Sequence, residues 1–212
     1  MKTSDRLKIN RLKKTEILPL IASSAVIRNY EVFRKLISLA KDRGIDFKKI
    51  YEALLQNYLF AGYPSALVSL KILKENFPKK KLGKAADMNL YHFMNQGISN
   101  CKKVYGDKYE KLILNIKGFS PDLAEWLVLE GYGKVLDRKG LSFKERELCV
   151  VAVLTIMKFE DQLYSHINGA YRIGVTLNQM ESVIQNVQLI SKKEMAEFGL
   201  KVLNRFKEEK GM

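Results

Sequence analysis

The sequence predicts an all-α protein. Three observations carry that expectation. Helix-start signals recur along the chain, glycines close several helical runs, and no stretch sustains the apolar–polar alternation of a strand between turn signals.

The start signals are specific. Ser120-Pro121 places a hydroxyl cap before a proline at the first helical position. Ser142 with Glu145, Thr176 with Gln179 and Ser191 with Glu194 are capping boxes, each side chain satisfying an orphan N–H of the other's backbone. The stop signals are Gly44 after "SLAKDR", Gly140 after "VLDRK" and Gly174 after "GAYRI". "FPKKKLGKAADM" (77–88) is polar, is broken by Pro78 and Gly83, and reads as a junction. Beyond it helices are expected near 87–102, 107–117, 121–138, 143–158, 160–173, 177–189 and 192–208.

Sliding the chain over itself by 130 positions lays residues 37–73 on 167–203 without a gap. Eight residues coincide, among them Ala40/Ala170, Gly44/Gly174, Ala66/Ala196, Leu70/Leu200 and Leu73/Leu203. An internal duplication follows: residues 1–78 as a partial N-terminal repeat without a site, 79–86 as linker, and 87–212 as the complete domain. His166 falls opposite Leu36, so only the second copy carries the imidazole.

Composition narrows the classes. With 212 residues, 47% of them hydrophobic, the chain can bury a sizeable core. No apolar run is long enough to span a bilayer, and "MKTSDRLKINRLKK" lacks the apolar segment of a signal peptide, so no membrane role is expected. Cys101 and Cys149, 48 positions apart, make neither a disulfide framework nor a metal motif. A reducing cytoplasm is the expected compartment. The net charge of +14 raises nucleic acid as a partner, but the lysines and arginines are scattered, few aromatics interleave with them, and no nucleic-acid motif appears. A solvated, lysine-rich surface explains the charge better.

Two residues stand out for chemistry. Positions 149–157 are apolar except for Thr155, so that helix is buried nearly all round. Glu147 starts the row that continues through Val151 and Leu154. Burial there works against the ionised form unless a cation such as Arg146 compensates. The competing reading makes Glu147 a helix-start carboxylate held by the dipole and a salt bridge. His166, one of two histidines, flanks the apolar stripe of Leu163, Ile167 and Ala170 on the next helix. On pattern alone a lone histidine so placed is more often a hydrogen-bonded core residue than a ligand or catalyst. The turn at Lys158–Glu160 folds the two helices into neighbours, so Glu147 and His166 can face one another as an acid–base couple.

Residues 130–184 carry Arg138-Lys139-Gly140-Leu141, Arg146-Glu147-Leu148, His166, Gly169-Ala170 and Gly174-Val175-Thr176 in succession. This order resembles the carboxymuconolactone decarboxylase family, over about 100–210 well and over 15–75 in part. The resemblance implies the alkylhydroperoxidase D-like helical fold and a lyase acting without metal or organic cofactor on a small organic acid or lactone. It implies Glu147 and His166 as the catalytic pair, with Arg138, Arg146, Tyr132 and Glu130 as substrate-binding candidates. It also implies a homo-oligomer, a trimer or hexamer. The related alkylhydroperoxidase D proteins carry a Cys-x-x-Cys-x-x-x-His motif, whose thiol positions here are Phe159 and Gln162. Thiol peroxidase activity is therefore disfavoured. A binding protein that has kept the fold without the chemistry is the alternative.

Overall fold

The computed structural model describes residues 9–85 and 87–212. The described residues are helical with no strand among them, as the caps and the 3.6-residue periodicity require. They form two compact units, residues 9–80 with 140–212, and residues 81–85 with 87–139.

The first unit holds α1 (Lys14–Val26), α2 (Tyr30–Asp42), α3 (Phe47–Leu55), α4 (Tyr58–Asn76), α8 (Phe143–Met157), α9 (Glu160–Arg172), α10 (Leu177–Asn186) and α11 (Lys193–Glu209). Helices α1 and α8 pack against each other at its centre and are apolar on nearly every face. Ile17, Leu20 and Ile21 of α1, and Val151 and Leu154 of α8, join Phe33, Leu36, Leu163, Ile167 and Phe206 in one core. Thr155, the polar interruption in α8, is buried with its hydroxyl donating to the Val151 carbonyl at 2.7 Å.

Local signals place the ends of these helices. Both oxygens of the Ser142–Glu145 and Thr176–Gln179 boxes reach the backbone as expected. Gly44 (φ +63°) and Gly174 (φ +87°) take the left-handed conformation that follows α2 and α9. Helix bounds recur at the 130-residue spacing: α2 starts and ends at 30 and 42, α9 at 160 and 172, while α3 begins at 47 and α10 at 177.

One expected cap is not used. The N-cap of α11 is Lys192, not Ser191, and it has no side-chain cap. Ile190 just before it is buried, and its carbonyl accepts from Asn29 Nδ2 at 2.8 Å. That tether sets where the chain enters the helix and overrides the Ser191–Glu194 box.

The second unit holds α5 (Leu90–Tyr105), α6 (Tyr109–Lys117) and α7 (Pro121–Trp126). Ser120 caps α7 through the Leu123 N–H. The single helix expected over 121–138 is instead α7 followed by a π-helical stretch, Leu127–Val135. Its cause is close packing on α5: a Cβ at Gly133 would lie 1.8 Å from the Phe93 carbonyl oxygen, and one at Gly97 2.1 Å from that of Val128. Helical regularity ends at Val135, so Gly140 (φ +127°) closes the following turn and not a helix.

Candidate acid–base site

Helix α8 carries Glu147 in its second turn, and α9 carries His166 in its second. Between them Lys158 turns left-handed (φ +60°, ψ +34°) and reverses the chain in three residues. Nδ1 of His166 consequently lies 2.8 Å from Oε2 of Glu147. Glu147 is wholly buried and His166 is 9% exposed.

An ionised Glu147 sets the roles of the ring nitrogens. A carboxylate only accepts, so Nδ1 carries the proton, and Nε2 of the neutral ring presents a lone pair. Nε2 has no hydrogen-bond partner among the described residues. Oε1 of Glu147 likewise meets no donor among them. Phe60 of α4 closes on the imidazole edge-to-face, ring centroids 5.9 Å apart at 77°. An apolar wall thus stands on one side of the imidazole, and the carboxylate at Nδ1.

Arg146 follows a different course from its neighbour Glu147. It is 1% exposed, and its Nη2 lies 3.2 Å from Oε2 of Glu52, itself 1% exposed. Its Nη1 donates to Gln56 Oε1 at 3.1 Å, and Gln56 Nε2 donates back to the Arg146 carbonyl at 3.3 Å. Glu52 of α3 and Gln56 just past its end therefore grip both side chain and backbone one position before the acid.

Of the other expected site residues, Glu130, Tyr132 and Arg138 belong to the second unit. Tyr132 is buried, its hydroxyl bonded to that of Tyr105 at 2.9 Å, and its carbonyl accepts from Asn100 Nδ2 at 3.1 Å. Glu130 pairs with Lys134 at 3.1 Å, one turn on. Arg138 is half-buried at the end of this unit.

Glu52, Gln56 and Phe60 escaped the sequence reading. One signal was available: Glu52 interrupts the apolar run of "IYEALL", and a carboxylate in that setting calls for a buried cation. Phe60 left no such mark, since an aromatic on a helix is ordinary core.

The thiols offer no alternative chemistry. Burial pushes both Cys101 and Cys149 up to about 12, so neither supplies a thiolate near neutral pH. Among the described residues no three His, Cys, Asp or Glu side chains cluster in a way that would hold a metal ion.

The carboxymuconolactone decarboxylase family model matches residues 121–204, which include Glu147 and His166. The 4-carboxymuconolactone decarboxylase of Acinetobacter baylyi is 28% identical over 103 residues, 48% of this chain and 77% of that protein. Peroxisomal protein 2 of Schizosaccharomyces pombe is 29% identical over 152 residues, 70% of each chain. Peroxisomal protein 2 of Saccharomyces cerevisiae is 23% identical over 171 residues, 68% of this chain and 60% of that one. Among the described residues no helix is long and apolar enough to cross a membrane.

Proposed function

We propose that this protein is a lyase that decarboxylates a small organic acid or lactone through the Glu147–His166 pair, with no metal or organic cofactor. The observation that carries the proposal is the 2.8 Å contact between Nδ1 and Oε2, which dedicates one ring nitrogen to the carboxylate and reserves the other for substrate.

The chemistry needs little more. As the C–C bond to the departing carboxylate breaks, CO2 leaves and its electron pair passes into an adjacent carbonyl as an enolate. Protonated His166 delivers the Nε2 proton to the enolate carbon, and solvent restores it. Glu147 holds the ring in orientation through its bond to Nδ1. Phe60 excludes water from one side of the imidazole.

Arg146 is a positioning residue in this scheme. Its bonds to Glu52 and Gln56 hold the start of α8, and with it Glu147. Tyr132 and Glu130 spend their polar groups inside their own unit, which supports a packing role for both. The matching helix bounds at a spacing of 130 residues support an internal duplication in which the first copy kept the scaffold and lost the imidazole. A homo-oligomer is part of the reading, and sedimentation at micromolar concentration tests it. Two free, buried thiols support a reducing cytoplasm. The competing compartment comes from the yeast relatives, whose names call them peroxisomal, and microscopy of the tagged chain separates the two.

The test is CO2 release from 4-carboxymuconolactone and a panel of related lactones and β-keto acids. His166→Ala should lower turnover by roughly 100- to 10,000-fold, the usual worth of a general acid, in a chain still folded at the assay temperature, although its melting temperature should fall because the buried Glu147 carboxylate loses its bond. Turnover retained in that variant refutes the proposal.

A second reading is a binding protein that keeps the fold without turnover. The commitment of Arg146 to Glu52 favours it, because the cation expected to meet a substrate carboxylate is occupied. Stabilisation by a panel compound that is never converted would establish it.

A further inference from the structure

The N-terminal half carries a cavity of about 290 Å³, whose lining includes neither Glu147 nor His166. Its apolar surface comes from Leu18, Pro19, Ile45 and Leu148. Four charged residues stand around it: Lys14, Asp46, Lys49 and Glu145.

Three of the four are already engaged. Lys49 is paired with Glu145, whose other oxygen serves the Ser142 cap. Asp46 accepts from the Lys48 N–H at 2.7 Å and caps α3. Lys14 has no partner among the described residues. Lys14 is therefore the one of the four whose charged group makes no bond among the described residues, and it stands next to an apolar surface, while Asp46 keeps its charge at its own helix cap.

The corresponding position 130 residues on shows why the space exists. Gln179 stands where Lys49 stands in the first half, and it folds back onto the Thr176 N–H at 3.0 Å to cap its own helix. The cleft beside Gln179, Thr15 and Leu148 is only about 90 Å³. Lys49 leaves its own cap to Asp46 and crosses to Glu145 instead. The first half thus holds the larger of the two clefts, and its volume sits near the lower end of small-molecule pockets, roughly 300 Å³.

We propose that this cavity binds a small aliphatic carboxylate, its head on the Lys14 ammonium and its tail against Leu18, Pro19, Ile45 and Leu148. The site is separate from the acid–base pair and does not depend on it.

Calorimetric titration of the full chain with octanoate, and with 1-octanol as the same tail without the charge, tests the proposal. Octanoate should bind saturably at one site per chain and roughly tenfold more tightly than the alcohol, the worth of one exposed charge contact. Lys14→Glu should erase that preference. Thr15→Trp, which places an indole in the cavity from an exposed position, should abolish binding of both ligands. Thermal melts of both variants should match the parent, and His166→Ala should bind octanoate unchanged. No saturable octanoate binding, equal affinity for the alcohol, or binding that survives Thr15→Trp would overturn the proposal.

Discussion

Arg146 and Glu52 form an ion pair 3.2 Å long in which both side chains are 1% exposed. One partner comes from α8 and the other from α3, ninety-four positions earlier. Charges taken this far from water are held by each other and by the two Gln56 hydrogen bonds, so their loss is asymmetric. Glu52→Ala leaves the guanidinium buried with too few acceptors. Urea denaturation should show a loss of about 3–5 kcal/mol. Adding Arg146→Met should recover part of it, because an apolar side chain needs no counter-charge. A double variant no more stable than the single one would contradict this account.

The thiols should be silent in the folded protein. With both pushed up to about 12 by burial, Cys101 and Cys149 should not react with a disulfide reagent at pH 8. Two equivalents should appear after unfolding in guanidinium. For the same reason, dithiol-dependent turnover of an organic peroxide should stay at the background rate. Rapid native labelling of either cysteine would reopen the peroxidase reading.

The Lys49–Glu145 pair should register in the acid limb of stability. Burial alone would raise the Glu145 carboxyl, but the bonds from Lys49 and Ser142 outweigh it and hold the group below the ordinary carboxylate value. A depressed acid contributes stability above its unfolded value and loses it as the pH falls through the folded one. Lys49→Met should therefore flatten the pH dependence of the melting temperature below about pH 5, the ordinary carboxylate region. The effect at pH 8 should be smaller than that of Glu52→Ala, because this pair is partly solvated. An acid limb unchanged by the substitution would contradict the assignment.

Much of this was legible in the sequence because it is local. Ser142 with Glu145, Thr176 with Gln179, Ser120-Pro121, Gly44 and Gly174 act over four residues or fewer, and each marks a helix end in the structure. The approach of Glu147 to His166 was legible for a related reason: nineteen residues, two helices and one tight turn leave few arrangements. What was not legible depends on distant partners. The π-helical stretch arises from Gly97 and Gly133 meeting backbone across a helix interface, and nothing in "LVLEGYGKV" by itself announces that approach. The start of α11 is fixed by Asn29, 161 positions away from the carbonyl it holds. Phe60 reaches His166 across more than a hundred residues, and local periodicity carries no record of such pairings.

The most direct test of the central claim is the tautomer of His166, read from the nitrogen shifts of the protein's two histidines by NMR. His92 is exposed and serves as the internal reference. In the neutral ring the proton should sit on His166 Nδ1, leaving Nε2 unprotonated, and Glu147→Gln should shift both nitrogens while His92 stays fixed. A proton on Nε2 in the parent protein, or nitrogen shifts indifferent to Glu147→Gln, would contradict the account.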